Sequence, residues 1–185
     1  MVTAGTFHSV AVELVMGALA LATFAAILCC IPRLANLRSS LDAAALWGAA
    51  FGLSVMPVVI ITGNLAAGGE AGSPLIANKM LLSAFGLALW IGFLHGRISL
   101  GPLVWERRST AVIQVGVALL GFEVMTWLGS TGGVLSRGET IYDLLGLPHL
   151  SSAPDMGIGL SAAILVLGLA AFIVVLFVQP KANQA

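Results

Sequence analysis

Residues 43–62 read AAALWGAAFGLSVMPVVIIT, twenty residues with no charge. A helix crossing the hydrocarbon of a bilayer needs about 20 mostly apolar residues, and this stretch meets that length unaided. Four further stretches read the same way. They are 10–31 with one acid, Glu13; 79–95, opened by Lys79; 111–128, which contains Glu123; and 157–178, uncharged. None alternates with the period of a barrel strand, so helices are the expected spanning structure. The spacing predicts an all-α polytopic membrane bundle of five helices, with residues 1–185 as a single transmembrane domain.

Composition agrees. Of 185 residues 59% are apolar and only 9% charged, against about 25% charge in soluble domains. A soluble domain of this size buries only about 70% of its chain surface, too little to hide so much apolar side chain. A soluble enzyme, a disordered chain, a disulfide scaffold and a basic nucleic-acid binder are excluded on this ground. The first span has no basic segment before it and is longer than a signal core, so it reads as a retained helix. The first four spans can be grouped as two helical hairpins, without an evident internal repeat.

Basic residues are unevenly spread. Arg33 and Arg38 fall between spans one and two, Arg97, Arg107 and Arg108 between three and four, and Lys181 after five. The opposite face has Lys79 and Arg137 among several acids. The positive-inside rule then predicts the N-terminus outside and the C-terminus in the cytoplasm of a bacterial inner membrane. Cys29 and Cys30 fall at the cytoplasmic end of span one and read as reduced thiols packed as small apolar groups.

Gly48 and Gly52 make a G-x-x-x-G that lets helices approach closely, either within this chain or against another subunit. Gly116 and Gly121 are a looser version in span four. Pro57 is expected to kink span two. The segment 131–156 reads as the longest outer loop, with 139–145 able to form an interfacial turn or two.

An ionisable side chain at mid-membrane costs about 2.5–3.5 kcal/mol on insertion scales, so Glu13, Lys79 and Glu123 each call for a partner or a task. Lys79 is expected to pair with Glu13 or Glu123, leaving the other acid protonated. The alternative is a proton path, a quinone-head pocket or a cofactor site opening outward, extended by Gln114 and Thr126. A haem b needs axial ligands at one depth. His8 and His149 share the outer face and His95 lies on the other, which leaves a peripheral His8/His149 site for haem b or quinone. Nothing in the chain matches G-x-x-x-x-G-K-[ST], H-E-x-x-H, C-x-x-C or G-x-S-x-G.

Several elements between about residues 7 and 140 resemble a bacterial family of small four-helix membrane proteins of unknown function, whose members sometimes accompany Rieske or c-type cytochrome components. The elements are His8, Thr62-Gly63-Asn64, Arg97, and Gly129-Ser130-Thr131-Gly132-Gly133-Val134-Leu135 followed by Gly138. Where the family pattern has a proline after the first histidine, Ser9 stands here. Asn78-Lys79 and Arg137 stand where two further histidines would be. The resemblance implies an electron-transfer setting. The lack of a catalytic constellation, the short loops and the small-residue faces lead to the expected function, a non-catalytic integral membrane subunit of an energy-converting complex, with lipid and other membrane subunits as partners and no nucleic acid. A haem b or quinone electron carrier, or a small proton or solute transporter using Glu123, are the alternatives.

Overall fold

The computed structural model describes residues 3–67 and 74–146, together with 159, 162–163, 166–168 and 170, which are helical. Four long helices dominate: α1 (Ala4–Cys29), α2 (Arg38–Ala67), α3 (Pro74–Leu100) and α4 (Arg108–Arg137). All four are long and apolar enough to cross a membrane. The fifth span expected at 157–178 lies largely outside the described residues.

Local chemistry sets the ends of these helices. The Thr3 hydroxyl caps α1 by accepting from the Thr6 amide at 3.2 Å. Ile31, which precedes Pro32, is extended, and a short 3-10 helix η1 (Pro32–Leu37) follows. α3 gives way at Gly101, whose φ of 62° is left-handed, to a second 3-10 helix, η2 (Gly101–Trp105). α2 runs through Pro57 as one helix.

The sequence suggested that span four ends near residue 128 and that a loop begins at 131. In the structure α4 continues to Arg137. Gly132 and Gly133 do not break it, because in a packed helix their missing side chains serve close approach. A Cβ on Gly133 would stand 2.5 Å from the Glu139 carbonyl oxygen. The stop comes at Gly138, left-handed at φ 73°, whose N–H donates to the Val134 carbonyl. The chain then folds back into a single turn, α5 (Ile141–Leu144), closed by a reciprocal Thr140/Asp143 capping box.

The two hairpins share the spacing of their elements, although the sequence has no evident internal repeat. Ala4 and Pro74 open the first helices and lie 70 residues apart. The same spacing separates Pro32 from Pro102, Arg38 from Arg108 and Ala67 from Arg137. Helix α1 packs on α2 and α4, and α3 packs on α4 and α2. Exchanging the hairpins therefore maps each packed pair onto another packed pair. Few identities mark this repeat, because the two halves fill their interfaces differently. In the first, Gly48 lies so close to α1 that a Cβ would stand 2.9 Å from the Ala18 carbonyl oxygen, and Leu19 fills the space over Gly52. In the second, the Trp90 indole lies across Gly121 and meets Phe93 edge-on at 5.5 Å between centroids. The core is built around Leu19, Ala22, Ala49, Met56, Trp90, Phe93 and Ala118. The outward faces carry Phe24, Trp47, Ile98 and Ile113, all exposed, as lipid contact favours.

Candidate functional site

Polar side chains collect at the two ends of the bundle. At the end formed by the two 3-10 connectors, Asp42 is buried near the start of α2. Both its oxygens accept from Arg97 of α3, through Nε and Nη2. The Trp105 indole N–H of η2 donates to Oδ1 at 2.6 Å. Nearby, Arg38 Nε–H donates to the Cys29 carbonyl at 3.1 Å, which ties the end of α1 to the start of α2. Bidentate geometry and the added indole donor satisfy the carboxylate, the condition under which a buried pair is tolerated. Cys29 is buried and Cys30 exposed, and both are free thiols. Partial burial pushes the Cys30 thiol above its ordinary value, with Arg38 opposing.

At the other end, His8 of α1 lies on α2. Its Nδ1 is 3.1 Å from the Val59 carbonyl oxygen and 3.2 Å from Thr62 Oγ1. A carbonyl only accepts, so Nδ1 carries the hydrogen and Nε2 is left for another partner. Gly63 makes this seat: a Cβ there would stand 2.9 Å from His8 Cε1. Lys79 of α3 reaches inward until its Nζ is 3.2 Å from where a Cβ on Gly132 would lie.

The structure thus sets His8 against α2 and Lys79 against α4, and sends the two acids elsewhere. Glu13 is on an exposed face of α1. Glu123 is exposed on α4 and accepts from the Tyr142 hydroxyl at 2.9 Å. Among the described residues neither acid forms an ion pair with Lys79; the pair that forms is Arg97–Asp42. Burial, and then the Glu123 carboxylate, push the Tyr142 phenol up to about 12. Gln114 does not extend the Glu123 face. Nine residues at 100° per residue place the two on opposite sides of α4. Gln114 is buried against α3, donating to the Phe93 carbonyl at 2.6 Å, and Thr126 Oγ1 donates to its own helix, to the Phe122 carbonyl at 3.0 Å. Gly48 and Gly52 are both taken up by α1.

His149 lies outside the described residues. His95 is exposed at the Arg97 end, within 3.4 Å of Ser99. No second imidazole among the described residues reaches the level of His8, and none of them group as three or more metal-binding side chains. The described residues therefore do not assemble a bis-histidine haem site.

Asp42 and Trp105 did not stand out in the sequence. Asp42 sits one residue before the uncharged stretch 43–62. The available signal was an acid at an end of the bundle that the positive-inside count had filled mostly with arginines.

No protein-family model, curated protein or solved structure matches the chain.

Proposed function

We propose that this protein is a non-catalytic integral membrane subunit that docks against other membrane proteins of an energy-converting, electron-transfer assembly. One observation carries the reading. Ala84 and Ala88 are exposed on α3, and Gly92, one helical turn further on, has nothing within 4 Å of where a Cβ would be. The stripe repeats the small-xxx-small spacing that brings α1 onto α2 at Gly48 and Gly52, but here no helix of the described chain covers it. Small residues on an open membrane helix favour a neighbour that approaches closely. The resemblance over residues 7–140 favours the electron-transfer setting. The arginine bias favours five crossings of a bacterial inner membrane, with 157–178 as the fifth helix, the N-terminus outside and the C-terminus cytoplasmic.

Native electrophoresis of gently solubilised membranes tests the docking. The wild-type chain is expected in an assembly well above its own mass. Ala88→Leu with Gly92→Leu should release it as a free, folded protein. A wild-type chain that runs alone would overturn the proposal.

A further inference from the structure

We propose that the outward face of α4 around Glu123 docks a transmembrane helix of another membrane protein, and that this helix carries a lysine or arginine at the depth of Glu123. The inference rests on the reading of the chain as a docking subunit. It adds a second contact surface, on a different helix from the Ala84/Ala88/Gly92 stripe.

Fifteen residues separate Glu123 from Arg108 and fourteen separate it from Arg137, so it stands at the middle of α4. At about 1.5 Å per residue the helix is roughly 45 Å long, against a hydrocarbon layer of about 30 Å. However α4 is seated across that layer, Glu123 stays inside it. The residue is nevertheless exposed on the bundle surface. One turn toward the connectors lie Leu119 and Leu120, each 47% exposed. Two turns away is Gly116, exposed and with nothing within 4 Å of where a Cβ would be. A glycine beside exposed leucines lets a neighbouring helix approach closely.

A carboxylate facing hydrocarbon needs a counter-charge or a proton. The Tyr142 hydroxyl donates to Oε1 at 2.9 Å, and such a bond is stronger to a carboxylate than to a neutral acid. Among the described residues no cation pairs with Glu123. The chain cannot bring one to this depth. Residues 10–31, 43–62, 80–94, 111–128 and 157–178 contain no lysine, arginine or histidine. Lys79 lies over Gly132, nine residues or about 13 Å along α4 from Glu123. The stretch 157–178 could shield the carboxylate but not neutralise it, and a second copy of this chain offers only the same uncharged spans. A foreign helix with a basic residue at mid-depth meets both the open face and the charge.

The test is photo-crosslinking in native membranes, with a photoreactive benzoylphenylalanine placed at Leu120 of the full chain and the joined peptides sequenced by mass spectrometry. We expect Leu120 to be joined to an apolar segment of another protein that has a lysine or arginine near its middle. A joined segment without a basic residue would overturn the proposal. So would a crosslink to residues 157–178, to a second copy of this chain, or to lipid alone. In native electrophoresis Glu123→Gln and Glu123→Leu should each lower the assembled fraction by about tenfold or more, as expected when one member of a desolvated charge pair is removed. Glu139→Gln, at an exposed acid beyond the end of α4, should leave it unchanged. If Glu123→Leu assembles as the wild type does while Ala88→Leu with Gly92→Leu releases the chain, this inference falls and the docking reading stands. A wild-type chain that runs alone overturns both. Leu120 is exposed, so the crosslink decides the matter even where a Glu123 variant fails to fold.

Discussion

Asp42 and Arg97 lie 55 residues apart in the chain and meet as a bidentate pair between α2 and α3. They join the two hairpins at the connector end, with the Trp105 indole as a third participant. Removing one partner strands a buried charge, for which about 3–5 kcal/mol is typical. Asp42→Leu or Arg97→Met should each destabilise the protein by about 3 kcal/mol in a denaturing-detergent titration. The double variant Asp42→Leu/Arg97→Met should regain much of the loss. Additive losses would mean that the two side chains act independently.

Gly48 and Gly92 should behave oppositely. A methyl group on Gly48 meets a backbone oxygen of α1 at 2.9 Å, and backbone cannot swing aside. Gly48→Ala should lower stability by about 1–3 kcal/mol through overpacking. Gly92→Ala has open space, and helix propensity favours it by up to about 1 kcal/mol. Thermal unfolding of the two variants, measured side by side in one detergent, checks the contrast.

Tyr142 is the single tyrosine of the chain, so its ionisation can be followed by ultraviolet difference absorbance. The folded midpoint should lie near 12 rather than the ordinary 10.0. A raised value means that folding favours the protonated phenol. Its contribution to stability is then fully present below about pH 10 and is lost as pH rises through about 12. Glu123→Gln should lower the midpoint only part of the way, because burial is the larger cause. A midpoint at 10 in the folded wild type would show that the hydroxyl is free in solvent.

Cys30 is exposed and Cys29 is buried. A maleimide should therefore modify one thiol of the folded protein and reach the second only on unfolding. Because burial raises the Cys30 thiol, the reaction should be slow at neutral pH and accelerate as the pH is increased. In intact cells a membrane-impermeant reagent should fail to label Cys30, and should label it in inverted vesicles, if the connectors are cytoplasmic.

The spans were legible because membrane helices must carry their apolar character in one continuous run, as residues 43–62 do. The G-x-x-x-G of α2 was legible as a packing element, but its partner was not, since either Ala18 of this chain or a foreign helix can fill the same groove. The link from Asp42 to Arg97 was invisible because sequence spacing says nothing about which helices become neighbours. Arg97 was read as an orienting charge and as an element of the family resemblance, not as a partner of Asp42. Lys79 looked like a partner for Glu13 or Glu123, because a residue's level in the membrane can be read from sequence while its direction around the helix axis is less easily assigned. The repeat escaped notice for a related reason. What recurs is the set of helix ends and connector prolines, while the interfaces exchange glycine and alanine in one half for tryptophan and phenylalanine in the other. The end of α4 was misjudged because Gly132-Gly133 looks like a turn until a neighbouring strand of chain occupies the space they leave.

The clasp between Asp42 and Arg97 also imposes an order on biogenesis. A ribosome adding about 5–20 residues per second needs several seconds to travel the 55 residues from Asp42 to Arg97. During that interval the nascent first hairpin holds a carboxylate with no guanidinium yet made to meet it. It must wait near the aqueous rim, or beside the insertion machinery, until α3 emerges. Loss of Arg97 would accordingly be felt by the cell's membrane-protein quality control during synthesis, before any finished molecule exists to unfold.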